Sequence, residues 1–455
     1  MNTSSSQHDT RTDFSDWQQQ VRRELNDERA DEGLRWATPE GFTLEPYYTA
    51  DALTSLPLDT LQSAQRSNAG WLNAPEQVVQ DATQANASLR QALGGGADAL
   101  VLTMPDSVDQ AQLTRLLKDI KLSETPVFFR TDQPDKLLNT LQTIAPYRWR
   151  GGLLSDPVAQ YIRTGYGHTG LVAQSQQTAD ATRLAVNAPH FRTICISSHV
   201  FHNAGATATQ ELAFLLGNLT DQYDALTDAG LPVEELVNRT MLSVSVGTSY
   251  FLEIAKLRAL RVLWFRLMGQ YKQASVPAPY VHAQTSTFYD AKATPNTNLL
   301  RLTTEAMAAV IGGADVLTVH PFDAVLTTPS AFSERIARNV SVLLKAESYL
   351  DKVADPSAGS YYIETLTHHL VEGAWALFLT VEQQGGVLTG LASGWIAEQI
   401  EQAWQAKVEA VRQGRVLVGV TKFRYDESTA SSSSTVAPEQ AGLLPDRRLA
   451  AEFES

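Results

Sequence analysis

Imidazole and carboxamide side chains gather at a few points along this chain of 455 residues. Residues 196–206 read Ile-Ser-Ser-His-Val-Phe-His-Asn-Ala-Gly-Ala, which puts His199, His202 and Asn203 in one short stretch. Gln284, Thr285 and Ser286 follow one apolar run, and His320 and Asp323 follow another. Asp355 opens an Asp-Pro-Ser-Ala-Gly turn. An imidazole moves protons or polarises a carbonyl, and a carboxamide orients one, so acyl or carbonyl chemistry is within reach of these types. Val200 has neither donor nor acceptor. The residues expected to face a substrate are His199, Asn203, Gln284, Ser286 and His320, with no residue assigned a catalytic role. For His199 and Gln284 functional and structural duties weigh evenly. Asp323 and Asp355 read better as helix caps and turn formers.

No metal site is expected. His368 and His369 are adjacent on a helical stretch and so point apart. His199 and His202 have no cysteine or carboxylate set to complete a site. The single cysteine, Cys195, lies in a strand-like run and reads as a small buried apolar residue; no intrachain disulfide can form. A nucleophile elbow, a phosphate-binding loop and a dinucleotide fingerprint are all absent from the sequence. Gly94-Gly95-Gly96 precedes a strand rather than following one, so it reads as a turn.

The elements that must position these groups alternate. Strand-like segments are 97–104, 125–130, 150–155, 193–198, 241–246, 280–284, 315–320 and the short 352–354. Helical periodicity separates them over 110–120, 135–144, 156–164, 209–229, 249–271, 298–311, 332–348 and 361–384. Eight such units predict an α/β chain folded as a (β/α)8 TIM barrel, with an open doubly wound sheet as the rival. In that barrel His199, Gln284 and His320 fall at C-terminal strand ends, where barrel chemistry sits. Residues 1–60, with a helix over 14–25, read as an N-terminal arm. Residues 61–425 form the barrel with C-terminal closing helices. Residues 426–455 are a Ser-rich linker and short tail. On helix 249–271, Arg258 and Arg261 read as a solvated face, with a subunit contact or anion recognition as alternatives.

Composition narrows the class. With 43% hydrophobic and 19% charged residues, the chain has enough apolar content for a large core. A formal net charge of −14 argues against nucleic acid and anionic membrane surfaces as partners. No uninterrupted apolar span is long enough to cross a bilayer, and residues 1–11 lack the apolar core of a secretory signal, so a cytoplasmic location is expected.

Several blocks resemble the methylmalonyl-CoA mutases, cobalamin-dependent acyl-CoA isomerases. They include Ala204-Gly205-Ala206-Thr207-Ala208-Thr209-Gln210-Glu211-Leu212, Phe251-Leu252-Glu253-Ile254-Ala255-Lys256-Leu257-Arg258-Ala259 and His282-Ala283-Gln284-Thr285-Ser286. Glu305-Ala306-Met307-Ala308-Ala309, Phe332 to Asn339 and Asp355 to Tyr362 continue the series in the same order. The resemblance implies a barrel whose axis admits the pantetheine arm of a CoA ester, with a separate cobalamin domain covering one end and adenosylcobalamin supplying a radical.

The departures fall on the active face. The family's Tyr-His pair stands as His199-Val200. The Arg-Gly-rich entry pattern is missing around Ser67 to Trp71. The family's Gln-Asn-Asp stands as Leu154-Ser155-Asp156, its Thr-Ser-Gly as Thr285-Ser286-Thr287, and its His-Thr-Asn as Thr318-Val319-His320. No Asp-x-His-x-x-Gly cobalamin motif occurs. The resemblance is therefore greatest to the small, catalytically silent subunit of heterodimeric methylmalonyl-CoA mutase. It implies a large mutase chain as partner, no cofactor bound by this chain alone, and adenosylcobalamin held through that partner. Helix 249–271 and the N-terminal arm are the candidate contacts. The alternatives are a stand-alone acyl-CoA-binding protein or enzyme, self-association, and the barrel half of a split mutase.

Overall fold

The computed structural model describes residues 14–105, 109–165, 168–273, 275–326, 329–425 and 442–454. The Ser431–Ser434 run read as a linker lies outside the described residues. A small antiparallel pair, β1 (Trp36–Ala37) and β2 (Thr43–Leu44), belongs to the N-terminal arm. The main strands are β3 (Leu72–Asn73), β4 (Glu76–Val78), β5 (Leu100–Thr103), β6 (Val127–Arg130), β7 (Arg150–Leu153) and β8 (His190–Arg192). They continue as β9 (Ile194–Ser197), β10 (Thr240–Val246), β11 (Val281–Thr285) and β12 (Val316–Thr318). All pair in parallel, in two five-stranded sheets ordered β3-β12-β11-β10-β9 and β4-β5-β6-β7-β8. Helices follow the strands, so the fold is α/β.

The two sheets share their edges along the chain. Only Ala74 and Pro75 separate β3 from β4, and only Thr193 separates β8 from β9. At the first seam the Ala74 N–H donates to Leu317 O (2.9 Å) while Pro75 O accepts from Val101 N (3.0 Å). Proline fits there because the ladder asks that position for a carbonyl and not for an N–H.

All seven residues of β10 are buried, as expected of a strand covered on both faces. Side chains alternate between two destinations. Leu100, Leu102, Val127 and Phe129 pack outward against helices. Ala99, Val101 and Phe128 turn the other way and meet Ala74, Leu154, Cys195, Met241 and Val316, so one cluster draws on strands of both sheets. Burial raises the Cys195 thiol well above its usual range, in keeping with a packing role.

Three expectations need correction. Residues 352–354 form a turn, where Ala354 O accepts from Arg66 Nε (2.9 Å); the remaining strand is at the other end of the sequence, over Leu72–Val78. Asp355 therefore ends no strand. It forms an ion pair with Arg258, which also holds Glu364 at 2.9 Å. Finally, helix Tyr250–Gln270 is not a solvated or subunit-contacting face at its arginines. Arg258 and Arg261 are each 1% exposed, and Arg261 donates to Gly313 O (2.6 Å) and Asp315 (2.9 Å). A helix buried nearly all round must pair its cations inside its own chain.

Candidate functional site

A cavity of about 620 Å³ opens at the C-terminal ends of the strands. Its lining includes Glu76 from β4, Arg130 from β6, Ser197 from β9, Gln284 from β11 and His320 just past β12. The turn after β9 begins a short helix, His199–Ala204, which adds His199, Val200 and Asn203. Gly205 ends that helix at φ 108°, packed so closely on Trp404 that a Cβ would lie 3.2 Å from its side chain. The cavity thus brings together His199, Asn203, Gln284 and His320. Ser286 is set apart from them: its hydroxyl bonds to His202 Nε2 at 2.6 Å beneath the surface.

His199 belongs to a chain of hydrogen bonds that crosses four strands, and its proton directions follow from one end. Thr318 Oγ1 must donate to Ala74 O (2.8 Å), since a carbonyl only accepts. Its oxygen then accepts from His282 Nε2–H (3.0 Å), which leaves Nδ1 to accept from Ser243 Oγ–H (2.7 Å). The Ser243 oxygen in turn accepts from His199 Nε2–H (2.7 Å), and His199 Nδ1 accepts from Ser245 Oγ–H (2.7 Å). Every ring nitrogen is spent. Burial, with Arg130 and the neighbouring histidines adding to it, holds His199 well below the ordinary imidazole range. Burial and Arg130 likewise lower His282, to about 3. Both rings are neutral at pH 7.

Below the cavity lies a second buried network. His202 Nδ1–H donates to Glu211 (2.7 Å), and Nε2 accepts the Ser286 proton. The Ser286 oxygen accepts from Phe288 N (3.1 Å), and its own N–H donates to Glu305 (3.0 Å). Lys256, 1% exposed, lies 3.2 Å from Glu211 and 2.7 Å from Glu253 and donates to Ser245 O at 2.9 Å. These groups fix the loop after β11 and the N-terminal part of helix Ala208–Asp228, whose cap Thr207 forms a capping box with Gln210.

Sequence reasoning passed over Glu76 and Arg130. Burial raises the Glu76 carboxyl, but Arg130 at 3.2 Å, His320 and the Thr103 hydroxyl at 2.6 Å outweigh it and bring the group to about 2. The available signal was a charged residue ending the Val-Phe-Phe-Arg run, where a strand meets the cavity. Asp156 was noticed only as a departure from a motif. It caps helix Pro157–Thr164 and accepts five hydrogen bonds, from Val158 N, Ala159 N, Ser197 N, Asn218 and Gln222. Burial raises its carboxyl, and the five donors oppose that by stabilising the anion.

What this arrangement can do is limited. Its imidazoles at positions 199 and 202 have no free nitrogen, and Val200 offers only methyl groups. The Gln284 Oε1 atom is buried without a protein partner, and with Asn203 it offers polar contacts to an occupant of the cavity, which the His320 ring also lines. Among the described residues no group of three or more His, Cys, Asp or Glu could hold a metal ion, and no helix is long and apolar enough to cross a membrane. A second groove, about 640 Å³, lies on the outer side between Leu61, Phe265 and Val371; its lining is mostly apolar and remote from the strand ends.

Residues 106–446 match the family model described as methylmalonyl-CoA mutase. The chain belongs to the methylmalonyl-CoA mutase family. It is 33% identical over 443 residues to the methylmalonyl-CoA mutase small subunit of Porphyromonas gingivalis, a match covering 92% of this chain and 71% of that protein. The small subunit of Streptomyces virginiae is 32% identical over 412 residues, covering 87% and 66% respectively. Methylmalonyl-CoA mutase of Rhizobium meliloti is 29% identical over 462 residues, covering 92% of this chain and 65% of that protein. The chain spans about two thirds of the length of these relatives.

Proposed function

We propose that this chain is the small subunit of a two-chain methylmalonyl-CoA mutase, a closed (β/α)8 barrel that supports a large chain and performs no turnover itself. The observation that carries the reading is the locked His199 ring beside Val200. Where the family pattern has Tyr-His, this chain has an imidazole with both nitrogens engaged and a side chain that cannot hydrogen-bond at all. Neither can polarise a thioester carbonyl or protect a radical by a directed contact. Closure of the barrel is supported by the continuous seams at 72–78 and 190–197 and by the cluster joining Phe128, Cys195, Met241 and Val316 from both sheets. That cluster, with Phe128 stacked on Tyr280 at 6.4 Å, packs side chains of the two sheets against one another.

Adenosylcobalamin would be held by the partner chain. A cavity of about 620 Å³ suits a drug-sized molecule and not a corrin with its nucleotide, and the rings of His199, His202 and His282 are engaged within the protein. The residues lining the cavity do not fit the group.

Residues 1–60 are read as the pairing arm, 61–425 as the barrel and 426–455 as linker and tail. Glu40 of the arm accepts from Ala208 N (3.1 Å) and Thr209 N (2.8 Å), which ties it to the barrel. Meanwhile Trp36, Tyr47 and Tyr361 keep 48%, 39% and 41% of their surface exposed, an apolar patch suited to a partner chain. The test is co-purification with the large mutase chain of the same genome. A stable one-to-one complex is expected, with the large chain losing activity on heating sooner when alone. Full activity and stability of the large chain by itself would overturn the supporting role. Restoring the family pair in H199Y/V200H is expected to give the isolated chain no methylmalonyl-CoA turnover above background, measured with added adenosylcobalamin; turnover would contradict the assignment of the cofactor to the partner chain alone.

A further inference from the structure

The groove of about 640 Å³ on the outer side is built by three helices. The short helix Leu58–Ser63 packs against Tyr250–Gln270 and Tyr361–Gln383. It and the residues after it are firmly held. Gln62 Nε2 donates to Glu364 (3.1 Å) and Gln65 Nε2 to Arg258 O (3.3 Å). Arg66 donates to the carbonyls of Gly70 (2.6 Å), Ala354 (2.9 Å), Ala314 (3.0 Å) and Val310 (3.2 Å). Leu61 is buried in the core that the two long helices also fill. Walls fixed in this way keep their shape without an occupant, and the volume lies in the range of small-molecule sites.

The lining states what an occupant must be. Leu61, Ala64, Val262, Phe265 and Val371 supply apolar surface. Arg266 and Glu372 carry its formal charges and are spent on each other at 2.8 Å, with the guanidinium also 4.4 Å over the Trp375 ring. A carboxylate in the groove would meet Glu372, and an ammonium would meet Arg266. An uncharged molecule meets neither penalty. His368 adds the one polar demand. Its Nδ1 atom is buried with no hydrogen-bond partner among the described residues, and a buried polar atom left unmet is costly. A hydroxyl donates to a bare ring nitrogen or accepts from a protonated one, so it serves either tautomer.

We propose that this groove is a binding site for one small uncharged amphiphile, its alkyl or aryl body on Leu61, Phe265 and Val371 and its hydroxyl at His368 Nδ1. Such a site is independent of the partner chain and of catalytic silence. Calorimetric titration of the full chain with 4-ethylphenol, ethylbenzene and 4-ethylbenzoate separates body, hydroxyl and charge. 4-Ethylphenol is expected to saturate a single site and to bind at least about tenfold tighter than either of the others. In H368L its advantage over ethylbenzene is expected to vanish. Thr60 and Ser63 line the groove from exposed positions, so S63W and T60W are expected to block binding while the circular dichroism spectrum and urea midpoint stay unchanged. Equal affinities for the three probes, or a tighter hold on 4-ethylbenzoate, would overturn the proposal. So would the absence of saturable 4-ethylphenol binding, or binding undiminished in both tryptophan variants. A change of self-association in S63W, read by sedimentation, would show that a second copy of the chain fills the groove and would overturn it too.

Discussion

Replacing Lys256 by methionine is expected to cost about 3–5 kcal/mol of stability, read as a fall in the urea midpoint at constant slope. Lys256 is the cation between two carboxylates that have no access to water: Glu211 at 3.2 Å and Glu253 at 2.7 Å. Burial alone would lower its ammonium; the two carboxylates more than reverse this and hold it above the ordinary lysine range. Without it, two buried acids face each other and His202 loses the charge that balances Glu211. The damage should reach the loop after β11, because Ser286 and Phe288 hang from His202. K256M combined with E211Q should cost less than the sum of the single changes, the mark of residues acting as one network. A loss below about 1 kcal/mol for K256M would contradict this assignment.

The second large effect is pH-dependent and belongs to the histidine chain. His282 is held at about 3, below its unfolded value of 6.5, first by burial and then by Arg130. The unfolded state therefore binds a proton that the native state refuses. The stability His282 contributes is present above pH 6.5 and is lost as pH falls toward about 3. The slope is roughly 1.4 kcal/mol per pH unit for each such ring, and His199 shares the direction. Buried carboxyls complicate the absolute curve. Burial raises Asp290 to about 7, and such a group loses stability as pH rises from the unfolded carboxylate value through its own. The informative quantity is thus the difference between wild type and H282Q. At pH 7.5 the wild type should be the more stable. Between pH 6.5 and 4 the gap should narrow at about the slope given. Parallel curves for the two proteins would show that His282 is not a buried neutral imidazole.

Much of the fold was legible in the residues, for physical reasons that also explain the failures. The run Thr240–Val246 is buried on both faces, and its Thr, Met, Leu and Val residues mark a strand despite Ser243 and Ser245. The helix expected over 14–25 ends at Leu25 in the structure. The strand at Leu72–Val78 was missed because Pro75 interrupts it, a residue that normally demotes a strand. What the sequence could not display is that this position supplies only a carbonyl to the ladder. Residues 352–354 were counted in its place, which shifted the order of every strand by one while leaving His199, Gln284 and His320 at strand ends. Within the site, residue type was readable and side-chain direction was not. Ser286 turned inward to His202, and Arg258 and Arg261 turned inward on a helix that has almost no solvent face. Glu76 and Arg130 come together from strands far apart in sequence, so no local spacing could pair them. The two serines that occupy His199 lie within one strand, at Ser243 and Ser245, yet their role emerges only when β9 and β10 are placed side by side.

Disabling the cavity inside the assembled two-chain enzyme separates support of a mutase from a share in its chemistry. R130M/Q284L removes the polar groups that a substrate would meet while leaving the helix faces unchanged. With assembly checked by sedimentation, interconversion of methylmalonyl-CoA and succinyl-CoA per bound cobalamin should stay within about twofold of the wild-type complex. A drop of about tenfold or more in an intact complex would mean that this chain's cavity takes part in the reaction, and would contradict a purely supporting role.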